Sequence, residues 1–172
     1  MARFPAAVAL PLMALSTAAA GQTGDQTTRA QLFVAAAGMS DVYEGASSQI
    51  ALMRSSDAEV RRFAQRMIAH HTDTTNGALA AAKRAGVVPP PPALDERHRT
   101  MITALLNAQE GDFDRSYWTQ QIQVHEAALA LMQGYAARGD AAELRAAASA
   151  IALVVQQHLS EARMMGARAG AS

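Results

Sequence analysis

The chain has 172 residues, half of them hydrophobic, with 15 basic residues against 15 acidic ones and no cysteine. That length suffices for one domain with a real core. The even charge gives no basic stripe for nucleic acid, and the missing cysteine excludes disulfides, thiolate metal sites and cysteine nucleophiles. Alanine dominates and aromatics are scarce, which favours close-packed helices over a β-sandwich.

The first element is a leader. Arg3 forms a short positive region, residues 4–15 are apolar, and Ala18, Ala19 and Ala20 supply a small-x-small cleavage pattern. A signal peptide over 1–20 is therefore expected, cleaved after Ala20, giving an exported, periplasmic protein. The run is too short to anchor in a bilayer, and Pro5 and Pro11 interrupt it as a buried helix. No cysteine follows it for a lipid anchor, and no later apolar run is long enough to span, so no transmembrane anchor is expected after cleavage. Residues 21–26 read as a polar tail and 27–168 as a single bundle domain.

A first long helix is predicted over 27–54, with Leu32, Ala36, Met39, Tyr43, Ala46 and Ile50 on one face. Ser55, Ser56 and Asp57 break it, and Ser56 with Glu59 reads as a capping box opening the second helix. The second stripe carries Val60, Phe63, Ala64, Met67, His71, Ala78, Leu79 and Ala82, and Gly86 ends it. Pro89, Pro90, Pro91 and Pro92 form a stiff extended break, followed by a shorter helix over 94–109. Gly111 and Asp112 are expected to cap a third long helix over 113–138, which Gly139 stops. Asp140 with Glu143 reads as a cap for the last helix, whose stripe is Leu144, Ala148, Ile151, Val155, His158, Leu159 and Ala162. The expected fold is all-α: a ferritin-like four-helix bundle of two helical hairpins with a short connector helix. Each long helix would measure about 40 Å, and about 12 Å of polyproline plus about 24 Å of helix would nearly return along it. Both a long crossover and a plain up-down-up-down order fit these lengths.

Three histidines lie on or beside apolar stripes: His71, His125 and His158. Counted from the hairpin turns, they and Glu44 fall in the middle third of the bundle in either topology. Asp114 shares the face of His125. Buried imidazoles from three helices at one level, with a carboxylate nearby, form a candidate site for a transition metal such as Fe, Cu or Zn. The alternative is that each is a hydrogen-bonded core histidine. His70 sits on the flank of its helix, and His98 is expected to be solvated. A di-iron carboxylate site needs Glu-x-x-His on two helices, but Ile68, Ile122 and Val155 stand three before the histidines. Met67 and Met165 could add thioether ligands for Cu(I), or simply fill the core. Neither a G-x-S-x-G elbow nor a phosphate loop occurs. Tyr117 and Trp118 diverge by about 100°, so at most one is expected in the core.

Four stretches resemble a known family: 41–51 with Tyr43, Glu44, Ser47 and Ser48; 60–71 with Phe63, Ala64 and Met67; 113–125 with Asp114, Tyr117 and Gln121; and 158–162. Together they are similar to the bacterial exported family of domain of unknown function 4142, over about 31–165. The resemblance implies a ferritin-like bundle in the bacterial envelope, with no settled activity. That family usually has Asp-His where this chain has His70-His71, so one carboxylate is replaced by an imidazole. Two functions compete on this footing. One is a non-catalytic envelope protein, stress-related, that binds an unknown protein or small ligand. The other is a transition-metal-binding bundle for storage, buffering or oxidation, which requires the ring nitrogens to converge within about 5 Å.

Overall fold

The computed structural model describes residues 28–170; the expected leader and polar tail lie outside them. The described residues form α1 (Arg29–Arg54), α2 (Ala58–Arg84), α3 (Glu96–Asn107), a 3-10 turn (Glu110–Asp112), α4 (Phe113–Arg138) and α5 (Ala142–Ala169). No strand occurs among them, and no helix among them is long and apolar enough to cross a membrane.

Local chemistry sets the helix ends. Thr28 and Gln31 exchange side-chain and backbone hydrogen bonds in a capping box at the start of α1. Asp57, not Ser56, caps α2: its carboxylate accepts from the Glu59 and Val60 amides at 2.7 and 3.0 Å. A charged acceptor makes stronger bonds to these amides than a hydroxyl one position earlier, and this moves the cap by one residue. Gly86, with φ of 69°, ends α2 in the left-handed conformation that favours glycine. The other two expected caps make no capping bond. Asp112 stands at the N-cap of α4 but its carboxylate pairs with Arg115, and α5 takes Ala141 as its N-cap while Asp140 accepts the Tyr135 hydroxyl at 2.8 Å.

Contacts between helix ends give the topology. Arg54, at the end of α1, donates to the Leu105, Leu106 and Ala108 carbonyls, and its guanidinium lies 4.9 Å from the Phe113 ring centroid at the start of α4. At the opposite end, Phe33 of α1 stacks on Tyr135 of α4 with centroids 4.0 Å apart. So α1 and α4 are antiparallel neighbours. Early α2 meets late α5 through Phe63 and His158 and through the Arg66–Glu161 ion pair. The segment between α2 and α4 therefore travels the length of the bundle, with α3 packed against α1 and α4. This is the single long crossover of ferritin-like bundles, not the up-down-up-down order.

Two large apolar clusters, with a smaller one of Tyr43, Met101 and Val124 beside α3, hold the bundle. The upper one includes Ile50, Phe63, Met67, Leu105, Phe113, Tyr117 and Trp118, and Met165 packs against it. The lower one includes Phe33, Val34, Ala81, Ala82, Met132, Tyr135 and Leu144. Several expected core positions are displaced. Leu32 is 59% exposed because the first turns of α1 bury Ala30, Phe33, Val34 and Ala37 instead, a rotation consistent with the Phe33–Tyr135 stack. Leu79 is 44% exposed, and the lower part of α2 packs through the small Ala81 and Ala82. Tyr117 and Trp118 are both buried. Trp118 reaches the α4–α5 seam, where α5 presents Gly166; a Cβ there would stand 3.1 Å from Ile122 Cδ1 and 3.5 Å from Trp118 Cβ. Two faces of α4 are thus covered where one was expected. His98 is buried, not solvated: it packs against Tyr43, and Asp95 Oδ1 accepts from its ring Nδ1 at 2.7 Å.

Candidate metal centre

Between the apolar clusters lies a polar layer to which every long helix contributes: Asp41, Glu44 and Ser47 from α1, His70 and His71 from α2, Gln121 and His125 from α4, and His158 from α5. One ring nitrogen from each of His71, His125 and His158 lies within 4.8 Å of the other two. Their rings pack at centroid distances of 5.5 to 6.3 Å. Phe63 borders His125 and His158 from the upper side.

Hydrogen bonds assign the other ring nitrogens. His125 Nδ1 faces only acceptors, the Gln121 carbonyl at 2.8 Å and Glu44 Oε1 at 3.5 Å, so it carries the proton and donates. His71 Nδ1 donates to Asp41 Oδ1 at 2.7 Å. His158 Nε2 lies 2.8 Å from His70 Nδ1, and the two rings stack. In the tautomer in which His158 Nε2 donates to His70, the Nδ1 of His158 is left as a lone pair. The remaining nitrogens, His71 Nε2, His125 Nε2 and His158 Nδ1, are buried and have no hydrogen-bond partner. Buried polar atoms are nearly always satisfied, so three orphans on three converging rings require an explanation.

Electrostatics supports the same layer. Burial works against the charged form of His71, but its bond to Asp41 and the charges of Glu44 and Asp41 outweigh burial and raise its pKa above the ordinary value. His158 is pushed down to about 3, by burial first and then by His125, His71, His70 and Arg66, so its imidazole is neutral at physiological pH. Glu44 is 1% exposed and its Oε2 has no partner. Burying a carboxylate without compensating charge is costly. Positive charge on His71, whose pKa Glu44 raises, or on a cation bound among the three rings would offset it.

The other expected site residues fall outside the group. Glu44 approaches the already bonded Nδ1 of His125, on the far side of the ring from the free nitrogen. Asp114 lies about 16 Å from His125 along α4, at 1.5 Å per residue. It shares a face with His125 but not a level. Met67 and Met165 both pack in the upper cluster. Sequence reasoning missed Asp41 as the partner of His71 and placed His70 on a flank, where the structure makes it the partner of His158. A carboxylate three residues before Glu44 on a mostly apolar helix was the available signal.

The fold and this layer define a class: a four-helix bundle with one long crossover and a mid-bundle histidine cluster. The sequence profile of the family described as Domain of unknown function (DUF4142) matches residues 14–165, and the chain belongs to that family. No curated protein and no solved structure matches it.

Proposed function

We propose that this chain is an exported bundle that binds a transition-metal ion through His71, His125 and His158. The observation that carries this reading is the convergence of three histidines, each with a ring nitrogen within 4.8 Å of one on the other two and each with a buried ring nitrogen that has no partner. Each ring's second nitrogen is held by a carboxylate, a backbone carbonyl or another imidazole, the outer-shell pattern that orients metal-binding histidines. Imidazole donors suit Zn, Cu, Fe and Ni, and a three-histidine set matches known catalytic zinc ligation. Asp41 and Glu44 would balance the ion's charge from the outer shell. A non-catalytic binding role accounts for the bonded nitrogen of each ring and leaves the other three without a purpose. Mineral storage and di-iron oxidation lack the carboxylate ligands they need. Buffering or use of a single ion fits the donor set better. Export rests on the leader of residues 1–20 and its expected cleavage after Ala20.

Mature protein purified from periplasmic expression and dialysed against Zn(II), Cu(II) or Fe(II) tests this by elemental analysis. One equivalent per chain is expected for at least one of the metals. The His71→Ala, His125→Ala double variant should lose it. Equal metal content in the wild type and the double variant would remove these histidines from the reading.

A further inference from the structure

We infer that a metal ion at this site keeps a fourth position for a small exogenous ligand, water, hydroxide or a small anion, reached through the groove between α1 and α2. The inference rests on the three-histidine reading above.

The first argument is donor count. The ligand group among the described residues contains three histidines and no carboxylate. Asp41 is engaged with His71 Nδ1 and with the Thr75 hydroxyl at 2.5 Å, and Glu44 faces the bonded side of His125. Three protein donors leave a four-coordinate ion one position for solvent or substrate, which distinguishes reactive zinc-type sites from closed structural ones.

The second argument is space. A cavity of about 20 Å³ borders His71 and His158, with Ala37, Ser40, Thr74 and Val155 among its walls. That is room for one water-sized ligand, and the Ser40 and Thr74 hydroxyls and Asp41 offer it polar partners. On the outer side, a groove of about 370 Å³ between α1 and α2 is lined by Gly45, Gln49, Thr72 and Thr75. Asp41 and His71 line both spaces, so this hydrogen-bonded pair is the partition between solvent and the inner cavity. The His71 side chain is 13% exposed against 1% for His125, which makes it the ligand nearest the outside. The groove is roomy at Gly45, where a Cβ would meet nothing within 4 Å.

Co(II) is the probe, because its visible spectrum reports coordination. The mature chain loaded with Co(II) should show a saturable spectral change on titration with azide. Gly45→Leu, or Thr72→Trp at the rim, should retain Co(II) while slowing both azide entry and metal removal by a chelator about tenfold. Circular dichroism would establish that each variant is folded. Co(II) that binds through the histidines but gives a spectrum blind to azide would overturn the open position. Unchanged rates in both folded groove variants would overturn the route. Failure of the wild type to take up Co(II), Zn(II) or Cu(II) would instead sink the metal reading on which this inference stands.

Discussion

Replacing His158 with leucine should stabilise the metal-free protein and abolish its response to metal. In the metal-free bundle the Nδ1 of His158 is buried without a partner, a defect worth about 1–3 kcal/mol. Leucine removes it. The substitution also removes the bond from His158 Nε2 to His70 Nδ1, worth about 0.5–1.5 kcal/mol. His70 is only half-buried, so water can replace that partner. Leucine is close to histidine in volume and would sit against Phe63 and Val155, so little cavity or overpacking cost is expected. The balance is a gain of about 1 kcal/mol, or roughly 2–4 °C in Tm for a domain of this size. Excess metal reverses the order. A ligand at a thousand times its Kd stabilises the wild type by about 4 kcal/mol and should leave the variant unchanged. Thermal melts with EDTA and with saturating Zn(II) measure both terms. A loss of more than about 2 kcal/mol in His158→Leu under EDTA would refute the reasoning, because it would make the histidine layer a structural asset rather than a cost borne for binding.

Asp41→Asn should weaken metal binding about 10–100-fold in a calorimetric titration while leaving the helical content unchanged, because the carboxylate orients His71 and raises its basicity. Arg54→Ala should cost about 2–4 kcal/mol in urea unfolding, since one guanidinium bonds three carbonyls at the end of α3 and covers Phe113. Arg54→Lys should recover less than half of that loss, as a single ammonium cannot reproduce the fork. Phe63→Ala should cost about 3–5 kcal/mol by opening a cavity beside Tyr117, Trp118 and the histidine layer.

How far the sequence carried these conclusions depended on the range of the interactions involved. The all-α architecture, the hairpin breaks and the stop at Gly86 are local, and helical periodicity with breaker residues reveals them. The level of His71, His125 and His158 was also legible, because counting 1.5 Å per residue from two tight turns needs no knowledge of how the hairpins meet. Asp114 shows the limit of a face without a level: it shares the side of α4 that holds His125 but stands three turns away. The crossover was not legible, since it depends on Arg54 meeting the end of α3 and Phe33 meeting Tyr135. Neither were the Asp41–His71 and His70–His158 pairs, which join side chains on different helices. The double burial of Trp118 and Tyr117 depended on Gly166 opening the α4–α5 seam, a contact between residues far apart in sequence.

The identity of residue 70 bears directly on the site. A carboxylate in that place would accept from His158 Nε2 and add negative charge beside the ion. An imidazole that accepts through Nδ1 keeps the orientation of His158 but brings no negative charge. Asp41 and Glu44 are then the carboxylates next to the three rings. Lower negative charge around the three imidazoles weakens the hold on a divalent ion relative to a site with the extra carboxylate. His70→Asp should accordingly tighten Zn(II) binding while preserving one equivalent per chain, as read by competition with a chromophoric chelator. Unchanged or weaker affinity in a folded His70→Asp variant would mean that His70 does more than orient its neighbour.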